Sequence, residues 1–131
     1  MIFAGKRPHN LGVRDGKLAS CPNSPNCVSS QSTDAIHQIA PLTFHTSPEQ
    51  AIAHLKSIVQ SLPRTTIISE SQDYLYAEFK SALMGFVDDV EFFLDRNANV
   101  IQVRSASRLG QSDLGVNRQR IETIRDKFNE L

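Results

Sequence analysis

Seventeen residues, Arg104 to Arg120, hold four arginines, three serines, two glycines, an aspartate and an asparagine. Guanidinium and hydroxyl groups are the donors that recognise phosphate, sulfate or carboxylate, and glycine lets a backbone approach a ligand closely. The stretch runs from the last strand readable in the sequence into the last helix. Arg118 and Arg120 fall in or near the first turn of that helix, where cations oppose the helix dipole. The same turn presents unpaired N–H groups, the makings of an anion site. The pattern therefore predicts a site for an anionic small molecule or headgroup, formed by Arg104, Ser105, Ser107, Arg108, Ser112, Asn117 and Arg118.

Two carboxylates complicate this reading. Asp88 and Asp113 fall near the same place and would repel an anion, unless they hold Arg108 and Arg118 in position; Glu91, on the opposite side of its strand, faces Arg104 as a cross-strand ion pair. The competing reading has no ligand. In it Asp88, Ser107, Arg108 and Asn117 form a buried polar network that fastens the last helix to the sheet, and the chain is a non-catalytic interaction or assembly module. No catalytic residue is assigned, because no G-x-S-x-G, P-loop or H-E-x-x-H occurs. Asp88 and Asp89 point to opposite faces of one strand and cannot act as a pair.

The two cysteines, Cys21 and Cys27, lie in C-P-N-S-P-N-C. Free thiols, a local disulfide and a metal site are all open on spacing alone. A metal would need two further ligands, and His9, His37 and His45 lack paired spacing. A thiol-dependent activity would require a depressed thiol pKa. No metal or cofactor is implied.

The elements that must position these residues read as an α+β domain over 1–131. Residues 1–34 show no period and are an irregular arm or lid; residues 35–131 form the core. Ala35 to Phe44 reads as a short strand with an edge or bulge at Pro41. Ser47-Pro48-Glu49 opens a helix with a capping serine, a proline and an acid, and Pro63 stops it. Thr65–Glu70, Tyr74–Lys80, Phe86–Asp95 and Val100–Ala106 alternate with period two and form an antiparallel meander. A four-residue turn sets the last pair so that Leu94 opposes Ile101, Phe92 opposes Val103, Val90 opposes Ser105, Asp88 faces Ser107 and Glu91 faces Arg104. The last helix carries Ile121, Ile124 and Phe128, a stripe that extends back to Asn117 and Leu114, and its start is open: Ser112 or Asp113 caps it, or Asn117 does, with Gly115 in the turn before. The architecture expected is an antiparallel sheet of about five strands with two helices on one face, in a helix-grip-like arrangement.

Fourteen basic and fourteen acidic residues give no net charge, which argues against a nucleic-acid partner. No apolar run approaches the roughly eighteen residues of a membrane span. As it stands the chain reads as cytoplasmic, and as exported if a leader has been removed.

Four segments, Phe3–Val13, Cys21–Gln31, Leu83–Phe92 and Arg104–Glu122, together resemble the bacterial and plastid proteins of domain-of-unknown-function family 1499. The resemblance covers nearly the whole chain. It implies a small single-domain protein, with some relatives exported or lipid-anchored, and it carries no activity, ligand or catalytic residue. It also implies that the arginine-rich stretch and the proline–cysteine loop belong together.

Overall fold

The computed structural model describes residues 3–130. Five strands and two helices follow in the order β1 (Cys27–Ser29), α1 (Pro48–Ser61), β2 (Thr65–Glu70), β3 (Tyr74–Lys80), β4 (Val87–Asp95), β5 (Val100–Ser107) and α2 (Val116–Phe128). The strands form one antiparallel, open sheet in the order β1-β5-β4-β3-β2. The fold is α+β.

Alternation decides what each face of the sheet carries. On one face Leu75, Ala77, Val90, Phe92, Leu94, Ile101 and Val103 pack against Ala51, Leu55, Ile58 and Val59 of α1 and Ile121, Ile124 and Phe128 of α2. Both helices therefore cover the same side. The β4–β5 register is the expected one, with Leu94 opposite Ile101, Phe92 opposite Val103, Glu91 opposite Arg104 and Asp88 opposite Ser107. Helix α1 opens with a capping box: the Ser47 hydroxyl accepts from the Gln50 N–H, and the Gln50 side chain accepts from the Ser47 N–H.

The other face is polar, carrying Tyr74, Tyr76, Glu78, Asp89, Glu91 and Arg104, and the N-terminal segment lies across it. The Gly12 N–H donates to Glu91 at 2.7 Å, Arg7 pairs with Glu78 at 2.7 Å, and Arg104 donates to the Ser20 carbonyl at 3.3 Å. This cover buries Asp89, Glu91 and Arg104. Cys21 and Cys27 form a disulfide, which closes the loop leading into β1.

Two expectations are corrected here. The fifth strand is Cys27–Ser29, inside the segment read as irregular, and not Ala35–Phe44. Within 35–44 only single bridges form, Gln38 with Ser29 and Leu42 with Ile101. The reason is that helix α2 takes the carbonyls of this segment. Arg118 donates to those of Gln38 and Ile36, and Arg125 to those of Pro41 and Ala40, all at 2.7–3.0 Å. Leu114, read as part of the apolar stripe of the last helix, lies outside α2 and is 94% exposed.

Candidate functional site

The arginine-rich stretch leaves β5, loops, and enters α2, so the sheet's alternation divides it. Ser105 and Ser107 face the helices, whereas Arg104 and Arg108 face the arm. The candidate residues therefore fall into separate groups.

The helix-side group is centred on Asn117, which is fully buried. Its Oδ1 accepts from the Ser105 hydroxyl at 2.6 Å and from Arg120 at 2.8 Å. Its Nδ2 lies within 2.8–3.2 Å of Asp113, Ser107 Oγ and the Asn26 carbonyl. Only this orientation of the amide places oxygen against donors and nitrogen against acceptors. Arg120 in turn pairs with Asp88 at 2.7 Å and stacks over the Phe79 ring, 4.9 Å from its centroid. Asp88 thus holds Arg120, where the sequence pointed to Arg108 and Arg118.

The amino end of α2 already carries an anion, and it belongs to the protein. Asp113 accepts from the N–H groups of Gly115 and Asn117 at 2.9 and 3.0 Å. Burial raises its pKa, but these backbone donors and the Asn117 amide outweigh that and hold it below the ordinary value. Asp113 therefore meets the dipole of the helix from within. Ser112 lies exposed beside it, within 3.4 Å of the Leu114 N–H.

The arm-side group is a second buried network. Arg108 grips Asp89 through Nε and NH2 at 2.9 and 2.8 Å and also pairs with Glu78. Tyr76 donates to Asp89, and Tyr74 to Glu91. Hydrogen bonding to Asp89 raises the pKa of Arg108. Glu78 is held low because Arg7 and Arg108 outweigh the effect of burial. Burial dominates at Glu91 and pushes its carboxyl up despite the Tyr74 hydroxyl, the Gly12 N–H and Arg104 at 3.9 Å. Arg118 belongs to neither group, since it clasps the carbonyls of residues 36 and 38.

Chemically these arrangements are largely closed; within them only Arg104 Nε and Glu91 Oε1 are buried without a hydrogen-bond partner. Each arginine of the stretch bonds a carboxylate or carbonyl of its own chain, and the arm covers the second network. Both cysteine sulfurs lie in the disulfide, and no free cysteine exists among the described residues, which removes the thiol-dependent reading. No cluster of three or more His, Cys, Asp or Glu suited to a metal occurs among the described residues.

The proline–cysteine loop completes the polar cluster. Asn26 donates to the carbonyls of Leu109 and Gly110 and accepts through its own carbonyl from Ser107 and Asn117, and Cys27 pairs with Ala106 in the sheet. The two segments singled out in the sequence are one structural unit. This agrees with the comparison of the chain with family models, where residues 17–128 match the family described as protein of unknown function (DUF1499). The chain belongs to DUF1499. A comparison with curated proteins finds no match. Of the residues in these networks of the DUF1499 chain, sequence reasoning passed over Asn26, Tyr74, Tyr76 and Glu78, and it named Arg120 and Asp89 without placing them in the site. A further set lies at the sheet end that holds the loops β3–β4 and β5–α2. Leu83, Met84, Phe86, Leu109, Leu114 and Val116 are exposed there, six of the eight exposed large apolar residues among those described. The signal was available: L-M-G-F between two strands places apolar residues where turn chemistry calls for polar ones.

Proposed function

We propose that this domain is a non-catalytic interaction module, in which the arginine-rich stretch holds the fold together and the apolar end of the sheet meets the partner. What supports this is the contrast between the two regions. The polar groups first suspected of ligand binding bond within the chain, Arg104 Nε alone among them lying buried without a partner beside the unpaired Oε1 of Glu91, and buried networks of this kind specify packing. The apolar rim instead leaves Leu83, Met84 and Leu114 exposed.

Leu114 carries the reading. It sits in the left-handed region, φ 55°, and is 94% exposed. A leucine there costs on the order of 1–2 kcal/mol of backbone strain and gains no burial in return. A residue that breaks a local rule without a folding benefit is the usual mark of function. The disulfide supports an oxidising compartment for the domain; no helix among the described residues is long and apolar enough to cross a membrane.

The other reading, an anionic small-molecule site at Arg104, Ser105, Ser107, Arg108, Ser112, Asn117 and Arg118, sets the test. Thermal unfolding is followed for the wild type and for Arg108→Ala, with and without inorganic phosphate and pyrophosphate. Under the interaction reading any shift is the same in the two proteins. A phosphate-dependent rise in the wild type that Arg108→Ala lacks would replace this proposal with the anion site.

A further inference from the structure

The apolar end has a shape and a charge that narrow the partner, and the step taken here rests on the interaction reading above. Three chain segments meet there. Phe3 stacks on Phe86 with ring centroids 5.0 Å apart, and a Cβ on Gly5 would lie 3.1 Å from the Leu109 side chain. The N–H of Arg108 donates to the Val87 carbonyl at 3.3 Å. Leu83 and Leu114, 89% and 94% exposed, project from two of these segments. Leu83 and Leu114 thus stand as separate, protruding apolar tips, and Leu83 and Met84 border a shallow hollow that they share with Phe3, Arg64 and Lys80.

Charge points the same way. A groove of ≈ 430 Å³ opens beside the tips, lined among others by Leu62, Arg64, Phe79, Lys80, Val116 and Arg120. Arg64 and Lys80 are exposed and have no carboxylate within ion-pair distance among the described residues. The nearby carboxylates are occupied, Asp88 by Arg120 and Asp113 by the first turn of α2. Arg64, like Leu114, is a non-glycine residue at positive φ, 53°. Apolar tips that protrude beside unpaired cations complement an anionic bilayer, whose acyl boundary takes the tips and whose phosphates take the cations.

We propose that the β3–β4 and β5–α2 loops insert into the surface of an anionic membrane, with Leu83, Met84 and Leu114 entering the acyl boundary and Arg64 and Lys80 contacting lipid phosphates. A protein partner would need a complementary concave surface to reach tips this exposed, whereas a bilayer deforms around them.

Vesicle co-sedimentation tests this with the full chain. Vesicles of phosphatidylcholine and phosphatidylglycerol in equal parts are compared with phosphatidylcholine alone, at low and high salt. The wild type should bind the anionic vesicles and lose binding in salt. Leu83→Asn with Leu114→Asn should lower the partition coefficient ~100-fold, since each buried leucine contributes roughly ten-fold. Arg64→Gln and Lys80→Gln should each lower it roughly five-fold and flatten the salt dependence. Ile36→Asn with Ile68→Asn, at exposed apolar positions elsewhere, should bind as the wild type does. Far-UV circular dichroism of each variant separates misfolding from lost binding. A wild type that ignores anionic vesicles, or a tip variant that binds equally well, would overturn the proposal. If vesicles fail but the wild type self-associates in sedimentation velocity and the tip variant does not, the lipid inference falls and the interaction reading stands. Failure of both takes both down.

Discussion

Replacing Asn117 by leucine is the sharpest perturbation of the helix-side network. The side chain is fully buried and of similar size, so the change removes hydrogen bonds with little change in volume. Some partners keep other contacts. The Asn26 carbonyl still accepts from the Ser107 N–H at 3.0 Å, Arg120 still pairs with Asp88, and Asp113 still accepts from the backbone of residues 115 and 117. The Ser105 hydroxyl loses its acceptor, while its oxygen still accepts from Arg120 at 3.2 Å, and the Ser107 hydroxyl loses its amide donor. At ~2 kcal/mol for each group left without its partner, and a return of ~0.5 kcal/mol for leucine's better helix propensity, the net loss is about 3.5 kcal/mol. With an unfolding entropy of about 2.1 cal/mol/K per residue over 131 residues, that is a fall in Tm of about 13 °C. The chain has no tryptophan, so urea unfolding is followed by far-UV circular dichroism, and an unchanged slope identifies a true stability change. Adding Ser105→Ala removes one stranded hydroxyl and should show a coupling of about 1 kcal/mol or more in a double-mutant cycle. A loss below about 1 kcal/mol, with no coupling, would refute the view that this network holds the helix to the sheet.

Two further outcomes follow from the same structure. Asp113→Ala removes the carboxylate on the α2 amino end and should cost about 1–2 kcal/mol at neutral pH. The folded pKa of Asp113 is depressed, so its contribution is present above the unfolded value of about 3.8 and is lost as pH falls through the folded one. The gap between variant and wild type in urea midpoints should therefore narrow on acidification below that pH. Reduction of the Cys21–Cys27 disulfide, which bridges six positions, should cost about 2 kcal/mol by loop-closure entropy. That is a Tm decrease of about 7 °C, read by scanning with and without a phosphine reductant.

Much of the fold was legible because its signals are local. Ser47-Pro48-Glu49 and Pro63 bracket α1, and the charge and apolar pairing of β4 with β5 allows only one register. The short strand β1 was not legible, because three residues carry no period and become a strand only by pairing with β5. The segment 35–44 misled for a related reason: its apolar spacing is strand-like, yet its carbonyls are taken by Arg118 and Arg125 from a helix some eighty residues away. The candidate site was legible in its parts and misread in its grouping. Period two already separates Arg104 and Arg108 from Ser105 and Ser107, since neighbouring strand residues face opposite ways. Asp113 as the anion at the helix end depends on where α2 starts, and a run with serine, aspartate and two glycines offers several starts. Leu114 was assigned to the core by extending a helical stripe past the glycine that ends it.

Leu114→Asn tests the central claim most directly. If Leu114 is held exposed and strained for a partner and not for folding, asparagine, which tolerates the left-handed region, should relieve about 1 kcal/mol. The melting temperature should then rise by about 3–4 °C. A fall of several degrees would mean that this leucine supports the fold, and the apolar end would lose its standing as a surface kept for something else.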